Sequence, residues 1–245
     1  MVRIAQDPMT GLADSLRQTL RTLGVANGAA YVLAQGLHRL SGARLRIVKY
    51  VLLVQPLAET ARRAGQRGGG VAVREIDADD PLIRRMQHPQ ETLAARFRQG
   101  ARCLAAERDG RLVGYLWWIE NRYQEDEVRC EFVPAPARET VWDFDVYVDP
   151  DYRGSLVFAR LWQVASRELL ARGFRYSASR ISAFNTSSLL AHERLGARVV
   201  GQRWYLCAGA LQLSLARGAP RCHGSWSRAP VVVVAPPVVL WETRR

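Results

Sequence analysis

Val141-Trp-Asp-Phe-Asp-Val-Tyr-Val-Asp149-Pro-Asp-Tyr-Arg-Gly-Ser155 is the stretch that decides how this chain of 245 residues is read. Over residues 141–148, Trp142, Phe144, Val146 and Val148 alternate with Asp143, Asp145 and Tyr147, and period-two alternation predicts a strand with those two sets on opposite faces. Asp149 to Ser155 supplies turn residues. Immediately after it, Phe158, Leu161, Trp162, Ala165 and Leu169 recur at helical spacing. A strand therefore passes through a short turn into a helix N-terminus, where unpaired amides and the positive end of the helix dipole converge and suit a phosphate or pyrophosphate. Gly173 ends that helix, residues 175–182 read as a second strand, and Asn185 caps a further helix reaching Gly196.

This β-α-β-α order, with Asn185-Thr-Ser-Ser-Leu-Leu-Ala-His-Glu-Arg-Leu-Gly-Ala197 closing it, resembles the GNAT superfamily of acyl-coenzyme A-dependent acyltransferases. Upstream, Val71 to Asp80 looks like that family's first strand. Leu104 to Trp118, turning at Asp109-Gly110, looks like its second and third. The resemblance covers residues 70–217 and implies a mixed α/β fold, a central and mostly antiparallel sheet flanked by helices and splayed at the coenzyme site. Residues 1–69 are then an added helical extension with a basic, glycine-rich linker at 61–70, and residues 218–245 are a Pro/Val-rich tail.

The resemblance also implies acetyl-CoA or another acyl-CoA as co-substrate, no metal, and direct transfer of an acyl group, acetyl foremost, to an amine. The backbone of Tyr147 and Val148 would run beside the pantetheine. Tyr152, Arg153, Gly154, Ser155, Leu156, Val157 and Phe158 would surround the pyrophosphate, with Asn185 either near the coenzyme or serving only as a helix cap. The family usually places glycine, or glycine and then alanine, three and five residues after the loop arginine. Leu156 and Phe158 stand there in this chain, and their bulk would move or weaken the coenzyme site because a missing side chain is what lets backbone approach a diphosphate closely.

Direct transfer needs a neutral nucleophile and a way for the thiolate to leave. Asp143 and Asp145, expected on one face, are candidates to take the proton, although an aspartate pKa of about 3.9 must be raised by burial or mutual repulsion before it serves as a base near neutrality. A purely structural aspartate fits the same pattern. His192, four residues before Gly196, takes the place where the family often has a tyrosine that protonates the departing thiolate; exposure or a capping contact is the plainer account of it. Tyr115, Trp117, Trp118 and Tyr123 line an acceptor pocket or belong to the core.

Composition bounds these readings. With 48% hydrophobic and 24% charged residues the chain supports one substantial core. The formal charge is +12, and among 35 basic residues Lys49 is the single lysine. Such an excess suits anionic partners, coenzyme A and anionic lipid among them, yet arginine-rich codon usage accounts for it equally. No zinc-finger spacing or basic heptad region supports nucleic acid as a partner. Cys103, Cys130, Cys207 and Cys222 are far apart, read as reduced thiols, and Cys222-His223 lacks metal-ligand spacing.

In the extension, Leu12, Leu16, Leu20 and Leu23 form one helical stripe, and Val32, Leu33, Leu37 and Leu40 form another. These helices are expected to dock on the domain or on a second copy in a homodimer, the alternative being a membrane surface. Residues 47–54 read as a strand, too short to span a bilayer. A cytoplasmic protein is expected, with acylation of an amino sugar or lipid precursor at the inner membrane surface, or a non-catalytic coenzyme-binding module, as the alternatives.

Overall fold

The computed structural model describes residues 17–65 and 70–237. Residues 17–23 are helical and lead into α1 (Val25–Leu40). There follow β1 (Leu45–Pro56), α2 (Leu57–Ala64), β2 (Ala72–Ile76), a 3-10 turn at Pro81–Arg85, α3 (Gln90–Arg98), β3 (Arg102–Arg108), β4 (Arg111–Ile119), β5 (Tyr123–Gln124) and β6 (Glu131–Pro134). The second half comprises β7 (Thr140–Val148), a 3-10 turn at Pro150–Tyr152, α4 (Val157–Ala171), β8 (Tyr176–Ser182), α5 (Thr186–Arg194), β9 (Arg198–Ala208), β10 (Leu211–Ala216), β11 (Cys222–Ser225) and β12 (Val231–Val234).

Nine strands form one sheet in the order β11-β10-β9-β1-β8-β7-β4-β3-β2, and β12-β6-β5 form a small second sheet. In the large sheet every neighbouring pair is antiparallel except β7 and β8. The β3–β4 hairpin turns at Asp109 and Gly110, both at positive φ, as the Asp-Gly pair predicts. One face packs Leu104, Leu116, Trp118 and Val141 against Leu57 of α2 and Leu161, Trp162 and Leu169 of α4. The other carries Tyr50, Val54, Trp117, Trp142 and Phe144 together with Leu93 of α3 and Phe132, Val232 and Val234 of the small sheet.

Two parts of the expected layout are corrected. The strand assigned to the extension, β1, lies in the middle of the large sheet between β8 and β9, with Tyr50 and Val54 fully buried. Its near-continuous apolar run, Tyr50 to Val54, is what a strand covered on both faces requires. A boundary after residue 69 therefore cuts through the sheet, and one after residue 217 separates β11 and β12 from the strands they pair with. The start of the expected 61–70 linker is helical, since α2 runs to Ala64.

The expected apolar stripes differ as well. In α1, Val32, Leu33 and Leu40 are exposed. The residues that meet the sheet region are instead Asn27, whose side chain accepts from Lys49, and Tyr31, whose ring meets Phe184 edge-on. Leu12 and Leu16 lie outside the described residues, while Leu20 abuts Gly28 of α1. Among the described residues, no helix is long and apolar enough to cross a membrane.

The central place of β1 sets a stability test. Removing residues 1–56 should abolish cooperative thermal unfolding followed by circular dichroism. The milder Leu52→Ala should cost about 2–5 kcal/mol in denaturant unfolding, the range for a buried leucine. A cost below about 0.5 kcal/mol, as at a surface site, would contradict this position for β1.

Candidate active site

The parallel strands β7 and β8 pair only from Thr140 to Trp142 against Tyr176 to Ala178. Beyond that point they diverge and leave a wedge in the sheet. At its apex Ser177 donates its hydroxyl to Asp143 Oδ2 at 2.6 Å. Asp143 is 2% exposed. Burial pushes its carboxyl up to about 7, against the opposing hydrogen bonds from Ser177 and Ser179.

One residue further along, β7 is bulged. Tyr115 pairs with Tyr147 and Trp117 with Phe144, so Leu116 faces the two residues Asp145 and Val146, and Asp145 adopts φ 49°. An extra residue in one strand inverts the alternation after it. Two expectations are thereby overturned. Asp143 and Asp145 lie on opposite faces and cannot raise one another's pKa as a facing pair. Trp142 and Phe144 likewise belong to one core, whereas Val146 and Val148 pack against the other.

Asp145 enters a crevice of about 340 Å³ lined by His88, Arg96, Tyr123, Asp126, Glu127 and Arg180, among others. Arg96, on α3, donates to Asp145 Oδ2 at 2.5 Å and to Asp126 Oδ2 at 2.7 Å. Its guanidinium is seated near the rings of Trp117 and Phe144. His88 Nε2 lies 2.8 Å from Asp145 Oδ2. Burial pushes the Asp145 carboxyl up, but His88 and Arg96 outweigh it and hold the group below its ordinary value. Arg180 binds Glu125, which also accepts from the Tyr50 hydroxyl, and Tyr50 donates to Glu127 at 2.6 Å. Four carboxylates thus face two arginines and one histidine.

On the other face lies the expected pyrophosphate loop. Asp149 Oδ1 accepts from the Asp151 amide, Gly154 takes φ 82°, and Ser155 Oγ accepts from the Val157 amide at 3.3 Å. Leu156 stands at the N-cap of α4 and provides no side-chain cap, so the first-turn amides of Phe158 and Ala159 have no intrahelical acceptor. Arg153 and Leu156 are exposed and Val157 is buried. Tyr147 and Val148 leave β7 beside Gly114 of β4, where an added Cβ would stand 2.8 Å from the Tyr147 carbonyl. Only glycine allows that approach. Tyr147 stacks on Tyr115, and its hydroxyl accepts from Gln87. Tyr152 packs against the α4-side core.

His192, on α5, is 3% exposed and wedged edge-on between the rings of Phe158 and Trp162 on α4. Its Nδ1 lies 2.8 Å from the Ser188 carbonyl, which fixes that nitrogen as the donor in the neutral ring. Burial lowers its pKa to about 4. At neutral pH it is therefore uncharged, with Nε2 an acceptor, and a poor source of a proton for a thiolate. Asn185 is the helix cap, its Oδ1 accepting from the Ser188 amide at 3.1 Å. Tyr115, Trp117, Trp118 and Tyr123 are all core residues, and only Tyr123 also lines the acidic crevice. His88, Arg96, Glu125, Asp126, Glu127 and Arg180 carried no pattern in the sequence. They come from four separate segments and meet only in space.

A model of the acetyltransferase (GNAT) family matches residues 71–197. No curated protein matches the chain. Among solved structures, a functionally unknown conserved protein from Staphylococcus epidermidis is 12% identical, with a TM-score of 0.49 over 71% of this chain and 66% of that one. A protein from Novosphingobium aromaticivorans, described as an acetyltransferase of the GNAT family, is 18% identical, with a TM-score of 0.45 over 65% of this chain and 63% of that one. A tandem GNAT protein from the clavulanic acid biosynthesis pathway is 16% identical, with a TM-score of 0.46 over 88% of this chain and 60% of that one. In each case the match spans less than two thirds of the solved chain.

Two of the perturbed groups, Asp143 and His192, impose opposite pH dependences on stability. Asp143, raised from 3.8 to about 7, contributes stability that is present below pH 3.8 and lost as pH rises through 7. His192, lowered from 6.5 to about 4, contributes stability that is present above pH 6.5 and lost as pH falls through 4. Asp143→Asn should therefore expose a stability that rises from pH 4 to 6.5, and His192→Gln one that falls from pH 4 to 7, each by at most about 4 kcal/mol. Chemical denaturation across this range checks the signs; identical profiles for both variants would refute the assignment.

Proposed function

Since the chain belongs to the GNAT family of acetyltransferases, we propose that it transfers an acyl group, acetyl foremost, from coenzyme A to the amine of an acceptor held in the acidic crevice. The observation that carries this reading is the His88–Asp145–Arg96 chain at the bulge of β7, beside the opening between β7 and β8. The uncapped N-terminus of α4 and the open turn at Gly154 fit the coenzyme's pyrophosphate, with backbone amides doing more of the binding than the exposed Arg153. Tyr147, Val148, Tyr152, Ser155, Leu156, Val157 and Phe158 border that path, and Asn185 caps the helix on its far side.

Four carboxylates attract an ammonium, which must lose a proton before its nitrogen attacks. His88 is oriented by Asp145, as Asp145 is by Arg96, and histidine is the side chain suited to take that proton near neutral pH. The amine nitrogen then bonds to the thioester carbonyl carbon, the carbon–sulfur bond breaks, and the proton that the nitrogen sheds on becoming an amide passes through water to the departing coenzyme A thiolate. Asp145 thus serves as a positioning residue, and Asp143 fastens the apex of the wedge. His192 lines the α4–α5 groove as a neutral ring.

A second reading, a GNAT-like module without turnover, is favoured by one observation: Phe158 and His192 pack ring to ring between α4 and α5. Phe158→Gly separates the two readings.

Acetyl-CoA should bind saturably in calorimetry, alongside desulfo-coenzyme A and adenosine diphosphate, and Phe158→Gly should bind more tightly. With an amine panel, His88→Gln and Asp145→Asn should each lower kcat by about 10²–10⁴-fold, the range for a lost general base. Absence of binding in both wild type and Phe158→Gly would establish the second reading, and full activity of both crevice variants would remove the assigned base.

A further inference from the structure

β8 pairs with β1 as far as Tyr50, and the Ala183 amide then donates to the Lys49 carbonyl, so the residues of β1 before Lys49 run on with β9 as their strand neighbour. A crevice of about 480 Å³ opens there, lined by Tyr31, His38, Arg46, Lys49, Glu127 and Asn185, among others. Glu127 also lines the acidic crevice, so the two adjoin. Their charges differ in sign. The acidic crevice is lined by Asp145, Asp126 and Glu127 against Arg96 and Arg180, the latter already paired with Glu125 behind it, whereas the second presents Lys49 and Arg46 against Glu127 alone.

These two cations lack carboxylate partners among the described residues. Arg46 donates to a backbone carbonyl, that of Glu127, at 3.1 Å. Lys49 donates to the neutral Asn27 Oδ1 at 2.7 Å and lies 4.7 Å from the centre of the Trp204 ring. Arg96 and Arg180 are matched to carboxylates, whereas the buried Arg203 is held by the Ser214 hydroxyl and the Ala219 and Pro220 carbonyls. Burial of the Lys49 ammonium without a counter-charge lowers its pKa, and a bound anion would reverse that. The site also holds the chain's single lysine among 35 basic residues. Lysine presents a compact charge where arginine would fill the space with a planar fork.

We infer that the acceptor is a small primary amine that also carries an anionic group, a carboxylate or phosphate, its amine facing His88 and Asp145 and its anion seated against Lys49 and Arg46. This rests on the acyl-transfer reading for the amine end, while the anion subsite stands on its own geometry. Glu127, bonded to Tyr50, separates the two ends and keeps the amine from sliding toward the cations. An amine without an anionic group leaves Lys49 and Arg46 with neutral acceptors only, and an amine with a second cation places it against them.

One lysine makes the test direct. Full-length protein grown with lysine labelled at Cε gives one lysine side-chain signal. Inorganic phosphate, 3-aminopropyl phosphate and 4-aminobutanoate should each move that signal saturably and raise the pKa it reports, the difference among them deciding between phosphate and carboxylate; 3-aminopropanol should not. In turnover with acetyl-CoA, the preferred anionic amine should exceed its neutral counterpart by about tenfold or more in kcat/KM, as expected for a charge-assisted contact. Lys49→Gln should bring that ratio near one through KM, with acetyl-CoA affinity unchanged. A Lys49 signal unmoved by all three anions, or a ratio near one in the wild type, overturns the inference. A signal that moves in a protein that binds no acetyl-CoA confirms the anion subsite and refutes acyl transfer instead.

Discussion

The divergence of β7 from β8 is the constraint on which the rest of the site depends. Parallel strands that share a ladder for three residues and then part leave backbone groups and side chains without their usual neighbours, and each must be satisfied by something else. Asp143 does so at the apex by accepting from Ser177. Beyond it the bulge at Asp145 turns that carboxylate out of the α4 face and into the crevice, where Arg96 and His88 complete its bonding. Replace the bulge by regular strand and Asp145 would enter the same face as Asp143, the Arg96 guanidinium would keep Asp126 alone as counter-charge, and the acidic crevice would lose its organising group.

Burial then assigns different chemistry to residues that look alike on paper. Two aspartates separated by one residue have pKa values displaced in opposite directions, because one is buried with only hydroxyl partners and the other is ion-paired. His192 and His88 differ in their surroundings. The first is wedged between aromatic rings and held neutral, whereas the second reaches a carboxylate at the rim of a cavity. The charge pattern extends beyond a single pocket, since the acidic crevice and the Lys49 crevice share Glu127 as a wall.

The placement of β1 shapes both crevices. A strand from the beginning of the chain lies between two from its end, so β8 and β9 are joined through it, and its overhang past Ser182 makes room for the cation-lined cavity. Residues 47–54 announced a strand by their apolar content. Nothing in them announced a partner more than a hundred residues away, because an extended apolar segment has the same appearance wherever in a sheet it is covered.

The sequence by itself determined the local elements: the strand, turn and helix of residues 141–171, the Asp109-Gly110 hairpin, the helix capped by Asn185, and from their order the family and its mixed sheet. These follow from periodicity, turn chemistry and capping, all interactions within a few residues. The tertiary structure alone decided which face Asp145 occupies, that His192 is buried, where β1 inserts, and that His88, Arg96, Asp126, Glu127 and Arg180 converge. The bulge depends on the register against β4, and convergence depends on contacts between segments far apart in the chain; neither leaves a mark in local spacing, because side-chain periodicity records one strand's alternation and not the residue that its neighbour skips.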